Sequence, residues 1–207
     1  MTTNMREQAD AITGIETAPK TMASWVAAEL PSPYADLVAK IAAVREEAAK
    51  IEAIGAVLWQ TGAPLVGAVR QAFAGMGFPS EPVDAGAGYD ALVPIDGARR
   101  LLLEIIGGPD AIDRRSLKIT QLLQAIQWRA TDQDRVILVV NAHCNTPVRD
   151  RNQEPVSADA LKLMVGVGAT VVTTSTLFAA WKYSRQAPAD AQKAVRGLHA
   201  HAGGIFR

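Results

Sequence analysis

The chain has 207 residues, of which 49% are hydrophobic, and its 21 basic and 21 acidic residues give a formal net charge of zero. This length predicts one domain with an appended segment, and the neutral charge argues against a protein that binds nucleic acid chiefly through electrostatics. The single cysteine, Cys144, excludes an internal disulfide framework, and no apolar run approaches the ~20 residues that span a bilayer. We therefore expect a cytoplasmic protein that makes no contact with a membrane.

The N-terminal part of the sequence predicts a tail followed by a long helix. Residues 1–20 are polar and weakly periodic, which is typical of a mobile tail. Residues 21–60 are predicted to form an arm and a long amphipathic helix that begins at Ser32 and Pro33. Apolar and small residues recur there at alternating spacings of four and three, as in a heptad seam: Leu37, Ile41, Val44, Ala48, Ile51, Gly55 and Leu58. The helix at residues 33–58 either packs on its own domain or contacts another chain, so we predict a homo-oligomer or a helical protein partner.

Residues 61–186 are predicted to form an α/β domain. Helical patterns cover residues 65–76, 116–128, a segment starting at Ser157, and a segment through residues 178–183. Strand patterns cover residues 81–84, 89–95, 100–106, 135–142 and 169–174, and the last two read as strands buried on both faces. Residues 187–207 are predicted to be a helical tail. This order of elements describes an α/β sandwich around a mixed central sheet.

Two acidic residues are placed by the sequence YDALVPIDGARRLLLEIIGG, residues 89–108. Asp90 heads one apolar run and Glu104 lies inside the next, with the turn sequence DGARR between them. A hairpin of this kind is expected to bring the two carboxylates together on adjacent strands. Carboxylate oxygens are the hard ligands that Mg²⁺ prefers, so the pair is a candidate metal site.

The order of elements and several short motifs resemble the PD-(D/E)xK nuclease superfamily. The resemblance covers roughly residues 33–186. The motifs that carry it are AVRQAFAGMGF, the acidic hairpin, ITQLLQ, VILVVNA, RNQEPVSADAL and VVTTSTLFAAW. The resemblance implies a restriction-endonuclease-like three-layer sandwich with a mixed central sheet, preceded here by the long N-terminal helix.

The resemblance also implies a set of site residues, and two of its positions are apolar here. In active members an Asp and a Glu bind one or two divalent cations, usually Mg²⁺, and a Lys lies beside them. Asp90 and Glu104 match the two acids, but Ile106 stands at the lysine position. Val66 stands where some members carry a further acid on the first helix. Two apolar residues in one site predict impaired catalysis, with Ile106 buried in the place of the lysine.

A lysine elsewhere keeps an active enzyme open as an alternative. In some members the lysine has moved to the helix that follows the Glu strand, and Lys118 is predicted to lie on that helix. Lys118 is three residues before Gln121, which matches the glutamine of the family motif, so both lie on roughly the same helix face. A helical lysine is more commonly a solvated surface residue, and we favour that interpretation.

Basic residues flank the candidate site in sequence. They either form a binding rim that faces phosphate or lie in ordinary solvated turns: Arg114, Arg115, Arg149 and Arg151.

Three hypotheses for the function follow. The first, which we favour at this point, is a catalytically impaired nuclease-like domain that binds or assembles with a nucleic acid or a protein. The second is an active Mg²⁺-dependent endonuclease that uses Asp90, Glu104 and Lys118, with Gln121 beside them. The third is a regulatory module that binds a small nucleotide-like ligand. Function depends on the site rather than on the fold, so the fold alone does not choose among them.

Overall fold

The computed structural model describes residues 24–31, 33–81, 83, 86–128, 131–201 and 203–206. The predicted mobile tail, residues 1–20, lies outside the described residues. The chain divides into two compact units, Met1–Ala48 and Ala49–Arg207.

The first unit contains helix α1 (Ser24–Glu29) and most of helix α2 (Pro33–Gly55). Proline suits the first turn of a helix because its missing N–H has no partner there, and α2 begins at Pro33. Asp36 adds a negative charge at the positive end of the helix dipole. The prediction of a long N-terminal helix is confirmed.

The second unit alternates helices and strands, as the sequence predicts. Its helices are α3 (Gly62–Gly75), α4 (Leu117–Trp128), α5 (Ala158–Gly166), α6 (Thr174–Ser184) and α7 (Pro188–Ala200), with short 3-10 turns at Ala56–Leu58 and Val148–Asp150. Its strands are β1 (Ala91–Asp96), β2 (Arg99–Gly107), β3 (Asp134–Asn141), β4 (Thr170–Thr173) and β5 (Gly204–Phe206). The described chain is therefore an α/β protein with a mixed sheet, as predicted.

The five strands lie in the order β1-β2-β3-β4-β5. Strands β1 and β2 form an antiparallel hairpin, with Ala91 opposite Leu103. The pairs β2–β3, β3–β4 and β4–β5 are parallel, and Glu104 lies opposite Leu138 in the register of β2 and β3.

Helices cover the sheet on both faces, and strand β2 shows how its residues divide between them. Leu101, Leu103 and Ile105 pack into a first hydrophobic cluster with side chains from α3, α6 and α7. Leu102 and Ile106 face a second cluster that includes side chains from α4 and α5. Because successive side chains of a strand point to opposite faces, Glu104 lies on the side of the second cluster.

The structure bears on two further predicted elements. Of the predicted strand at residues 81–84, Glu81 makes one isolated bridge to Leu92, while residues 82 and 84 lie outside the described residues. The C-terminal segment is not helical throughout, because Gly204–Phe206 forms strand β5 beside β4. Two apolar residues after a pair of glycines are too short a pattern to identify a strand.

No helix among the described residues combines the length and the apolar character needed to cross a lipid bilayer.

The close approach of helix α3 to the end of β2 gives a stability test. A Cβ at Gly107 would lie 3.0 Å from Leu65 Cδ2 and 3.1 Å from the backbone oxygen of Gln60. Gly107→Ala should lower the free energy of unfolding by about 1–3 kcal/mol, because a backbone oxygen cannot move aside easily. The matched control is Gly67→Ala inside α3, where an added Cβ meets nothing within 4 Å. That variant should gain about 0.5–1 kcal/mol from helix propensity. Urea unfolding of both variants measures the difference.

Candidate functional site

Three charged side chains meet on the face of the sheet that carries the second cluster. Lys118 Nζ lies 2.7 Å from Asp90 Oδ1 and 2.8 Å from Glu104 Oε1. Asp90 directly precedes β1, Glu104 lies within β2, and Lys118 lies in the first turn of α4. The structure therefore brings together the two acids of the hairpin and the lysine of the following helix. Lys118 is not the solvated surface residue that we favoured, because its ammonium contacts both carboxylates.

Local folding accounts for the position of Asp90. Its backbone N–H donates to Leu103 O at 2.7 Å, which extends the β1–β2 pairing by one residue. The N–H of Ile105 donates to Asp90 Oδ2 at 2.8 Å, and Lys118 donates to Oδ1. Both carboxylate oxygens thus have donors, and the side chain is held in one orientation against β2.

Helix α4 places Lys118 by burying its own apolar face. Ile119 and Leu122 are fully buried in the second cluster, against the same side of the sheet as Glu104. Lys118 adjoins Ile119 at the start of the helix and keeps 36% of its side chain exposed. The apolar stem therefore lies along the protein while the ammonium reaches the carboxylates.

Glu104 is the most constrained member of the group. The residue is 1% exposed, and burial raises the pKa of its carboxyl to about 7; Lys118 acts in the opposite direction and Asp90 adds to the rise. Although Oε1 is at ion-pair distance from Lys118, it has no directed hydrogen bond within the described part of the chain. The Lys118 ammonium is close to this oxygen, and the carboxylate keeps further lone pairs that a ligand can use.

Lys118 stays positively charged. Burial by itself would lower the pKa of its ammonium, but the contacts with Asp90 and Glu104 outweigh burial, and the pKa is raised above its ordinary value. Lys118 and Glu104 therefore both have raised pKa values, because burial dominates for the carboxyl and the two acids dominate for the ammonium.

A cavity of about 250 Å³ opens onto these side chains. It is lined by Val83, Gly86, Ala87, Gly88, Tyr89, Asp90, Glu104, Lys118 and Gln121. Gly88 has φ +81°, and a Cβ there would lie 3.3 Å from the backbone oxygen of Gln121. The wall formed by residues 86–89 was not identified from the sequence. The signal for it was the pair of glycines, Gly86 and Gly88, just before Asp90.

The two apolar residues at family positions have different surroundings. Ile106 is half-buried and packs against the second cluster, on the face that carries Glu104. Val66 packs against the first cluster, on the opposite side of the sheet. Val66 is also not among the residues that line the cavity, so its apolar character does not bear directly on this site.

The four predicted rim arginines do not line this cavity either. The guanidinium of Arg151 donates to Asn141 Oδ1 and to the backbone oxygens of Thr146 and Leu58, so it is engaged within the fold, and its predicted binding role stays a prediction. Arg149 is exposed and lies 3.5 Å from Asp150. Arg114 and Arg115 are exposed just before α4, and a role of these two in phosphate binding remains a prediction.

Several motif residues of the resemblance meet in a second polar cluster, the Asn141 network. Asn141 is fully buried at the end of β3. Its Nδ2 donates to Gln60 O, and its Oδ1 accepts from Arg151 and from Thr174 Oγ1, each at 2.9 Å. These contacts satisfy the buried amide and join β3 to the start of α6, which is a structural role.

The acidic side chains of the site are the oxygen donors available to a cation such as Mg²⁺. No group of three or more His, Cys, Asp or Glu side chains is placed to hold a metal ion in the described ranges. Mg²⁺ is commonly bound through one or two carboxylates, with water and substrate oxygens completing its shell. Asp90 and Glu104 supply two such carboxylates, and Glu104 Oε1 lacks a directed hydrogen bond. The residues present therefore fit a Mg²⁺ ion that is shared with a substrate.

Comparison of the chain with models of protein families, with curated proteins and with solved structures gave no match.

The burial of Glu104 predicts a pH-dependent stability. The pKa of about 7 in the folded protein exceeds the ordinary 4.5, so folding favours the protonated carboxyl. That stabilisation is complete below pH 4.5 and is lost as the pH rises through 7. Glu104→Gln cannot ionise, so its free energy of unfolding relative to wild type should increase by up to about 3 kcal/mol between these limits. Denaturant unfolding across this pH range measures the trend, and Glu81→Gln, at an exposed site, is the control. A constant difference between Glu104→Gln and wild type would contradict the prediction.

Proposed function

We propose that this protein is a metal-dependent phosphodiesterase that cleaves nucleic acid, with Asp90, Glu104 and Lys118 as its active-site residues. The observation that carries the proposal is the placement of Lys118 Nζ within 2.8 Å of both carboxylates. A lysine delivered by the helix after the Glu strand supplies the positive group that Ile106 lacks. This arrangement favours the active endonuclease over the impaired domain.

The architecture supports placing this enzyme in the restriction-endonuclease-like class. The acids lie on an antiparallel hairpin, parallel strands follow it, and helices cover both faces of the sheet. A mixed sheet covered by helices on both faces supports the three-layer arrangement that the sequence resemblance implies. The Asn141 network gives the motif residues of that resemblance a shared structural role.

Asp90 and Glu104 would hold the cation. The ion, when bound, supplies Lewis-acid polarisation of the phosphate and a more acidic attacking water. Asp90 is oriented by the N–H of Ile105, and Glu104 is fixed by burial within β2. The β1–β2 hairpin thus holds both carboxylates in place before a substrate arrives.

Lys118 acts in this proposal as a positively charged donor. Because the pKa of its ammonium is raised, it remains protonated at neutral pH and is not a general base. Its partial exposure leaves it accessible from the cavity, where it can orient a water molecule or stabilise negative charge on a phosphate oxygen. Gln121 lines the same cavity and offers a neutral amide to the substrate.

The hypothesis of a regulatory nucleotide-binding module has less support. Pockets that enclose small ligands are usually about 300–1,000 Å³ and mostly apolar. The cavity beside Lys118 is about 250 Å³ and carries two carboxylates and an ammonium. It suits a phosphate group of a longer substrate better than a whole nucleotide.

A cleavage assay tests the proposal. Wild-type protein should cleave DNA or RNA in the presence of Mg²⁺ or Mn²⁺, and Lys118→Met should lower the rate by roughly 10²–10³-fold, the usual effect of losing one preorganised donor. Asp90→Asn and Glu104→Gln should be at least as impaired. Lys162→Met, at an exposed lysine on α5, is the matched control and should cleave normally. A wild type that binds nucleic acid but does not cleave it with either metal would favour the impaired domain.

A binding measurement tests the relation between Lys118 and the cation. The ammonium lies beside the oxygens that the cation would use, so the two positive charges compete. Lys118→Met should therefore bind Mn²⁺ roughly 100-fold more tightly, because one unit charge at this distance is worth a few kcal/mol and each ~1.4 kcal/mol is tenfold in affinity. Isothermal titration calorimetry without substrate measures this, with Lys162→Met as the control. Weaker binding by Lys118→Met would show that the lysine supports the metal instead of competing with it.

A further inference from the structure

Helix α2 exposes a stripe of apolar side chains. The α2 stripe consists of Tyr34, Leu37, Ile41, Val44, Ala48 and Ile51, spaced by three and four residues along one face. Leu37 is 55% exposed, Ile41 52% and Val44 69%. Soluble proteins seldom leave contiguous apolar surface of this kind uncovered, so the stripe indicates a contact surface.

We propose that the α2 stripe joins two copies of this chain as an antiparallel helix pair. The proposal does not depend on the proposed enzymatic function. The proposed partner is a second copy of the chain, because in one register the side-chain sizes and the charges of α2 are complementary to those of another α2.

The side-chain sizes match when the two helices cross symmetrically between residues 42 and 43. The facing layers are then Ile41 with Val44 of the partner subunit, Leu37 with Ala48 of the partner subunit, and Tyr34 with Ile51 of the partner subunit, each occurring twice. Leucine against alanine fills a layer without crowding, and the two β-branched residues meet at the centre. The overlap of about 20 residues corresponds to a contact about 30 Å long.

The charges select this arrangement. Lys40 and Glu47 flank the stripe on one side, and in the antiparallel register each faces the other across the interface. Because the dimer has two-fold symmetry, it contains two such Lys40–Glu47 pairs. On the other side, the aliphatic stem of Arg45 in each copy covers the exposed Val38 of the other.

Other arrangements of the same stripe bring like charges together. In a parallel pair, Lys40 would face Arg45 and Glu47 would face Glu52. Moving the antiparallel register by one heptad toward the C-terminus would place the two copies of Glu47 opposite each other. Moving it by one heptad toward the N-terminus would do the same for Lys40. Repulsion between like charges disfavours these other arrangements and so favours the antiparallel orientation and the proposed register.

Sedimentation equilibrium of the full chain over a range of concentrations tests whether the stripe is the contact. Wild type should show a reversible monomer–dimer equilibrium, and Ile41→Asp should be monomeric. The matched control is Ala39→Asp, which adds the same charge on the opposite side of α2 and should still dimerise. Circular dichroism checks that both variants keep their helix content. A monomeric wild type, or an Ile41→Asp protein that still dimerises, would overturn the proposal.

A charge exchange tests the orientation. Lys40→Glu should weaken the dimer about tenfold, since two attractive pairs become repulsive at a few tenths of a kcal/mol or more each. Glu47→Lys should do the same, and the double variant Lys40→Glu/Glu47→Lys should restore wild-type affinity. In a parallel pair, Lys40→Glu would instead face Arg45 and tighten the dimer. Tightening by that variant, or no rescue by the double variant, would reject the antiparallel pair.

Discussion

The site depends on one constraint, which is the burial of a carboxylate within a strand that helices cover on both faces. Glu104 occupies one position of the buried strand β2, and every other buried residue of that strand is apolar. An isolated buried charge is expensive, so the neighbouring structure has to supply compensation. Helix α4 supplies the ammonium of Lys118. The close approach of this helix to the segment before Asp90 requires a glycine at position 88. Gly88 thus lets the segment before Asp90 pass close to the helix that carries Lys118.

The charge balance of the site gives it a preference among ligands. Two carboxylates and one ammonium carry a net charge of −1 when both acids are ionised, so the empty site attracts cations and repels phosphate. Under the proposed function, a bound cation would supply the positive charge that a phosphodiester needs, so cation binding and substrate binding would be cooperative. This order of binding would reconcile the net negative charge of the site with the polyanionic substrate that we propose. The neutral net charge of the whole chain is consistent with it, because the attraction is local.

Local sequence patterns were sufficient for the helices, the hairpin and the meeting of Asp90 with Glu104, since hairpin spacing and strand alternation depend on near neighbours. They did not predict that Lys118 contacts Glu104, 14 residues earlier in the sequence. The distance between helix α4 and strand β2 is set by tertiary packing, here of Ile119 and Leu122. The hydrogen bonds of Arg151 could not be predicted either, because the contact with Asn141 depends on how the loop that carries Arg151 folds. Strand β5 escaped prediction because pairing with β4, rather than its own composition, makes it a strand.

The Asn141 network has a consequence for how the chain folds. Its hydrogen bonds join the backbone at residues 58 and 60, the end of β3, and Thr174, segments separated by more than 80 and by about 30 residues. Closing such loops loses chain entropy before any bond is formed, whereas the β1–β2 hairpin closes over a few residues. The hairpin that presents Asp90 and Glu104 therefore belongs to the early, local phase of folding. We expect the Asn141 network to form after this hairpin, because its contacts join segments that are far apart in the sequence.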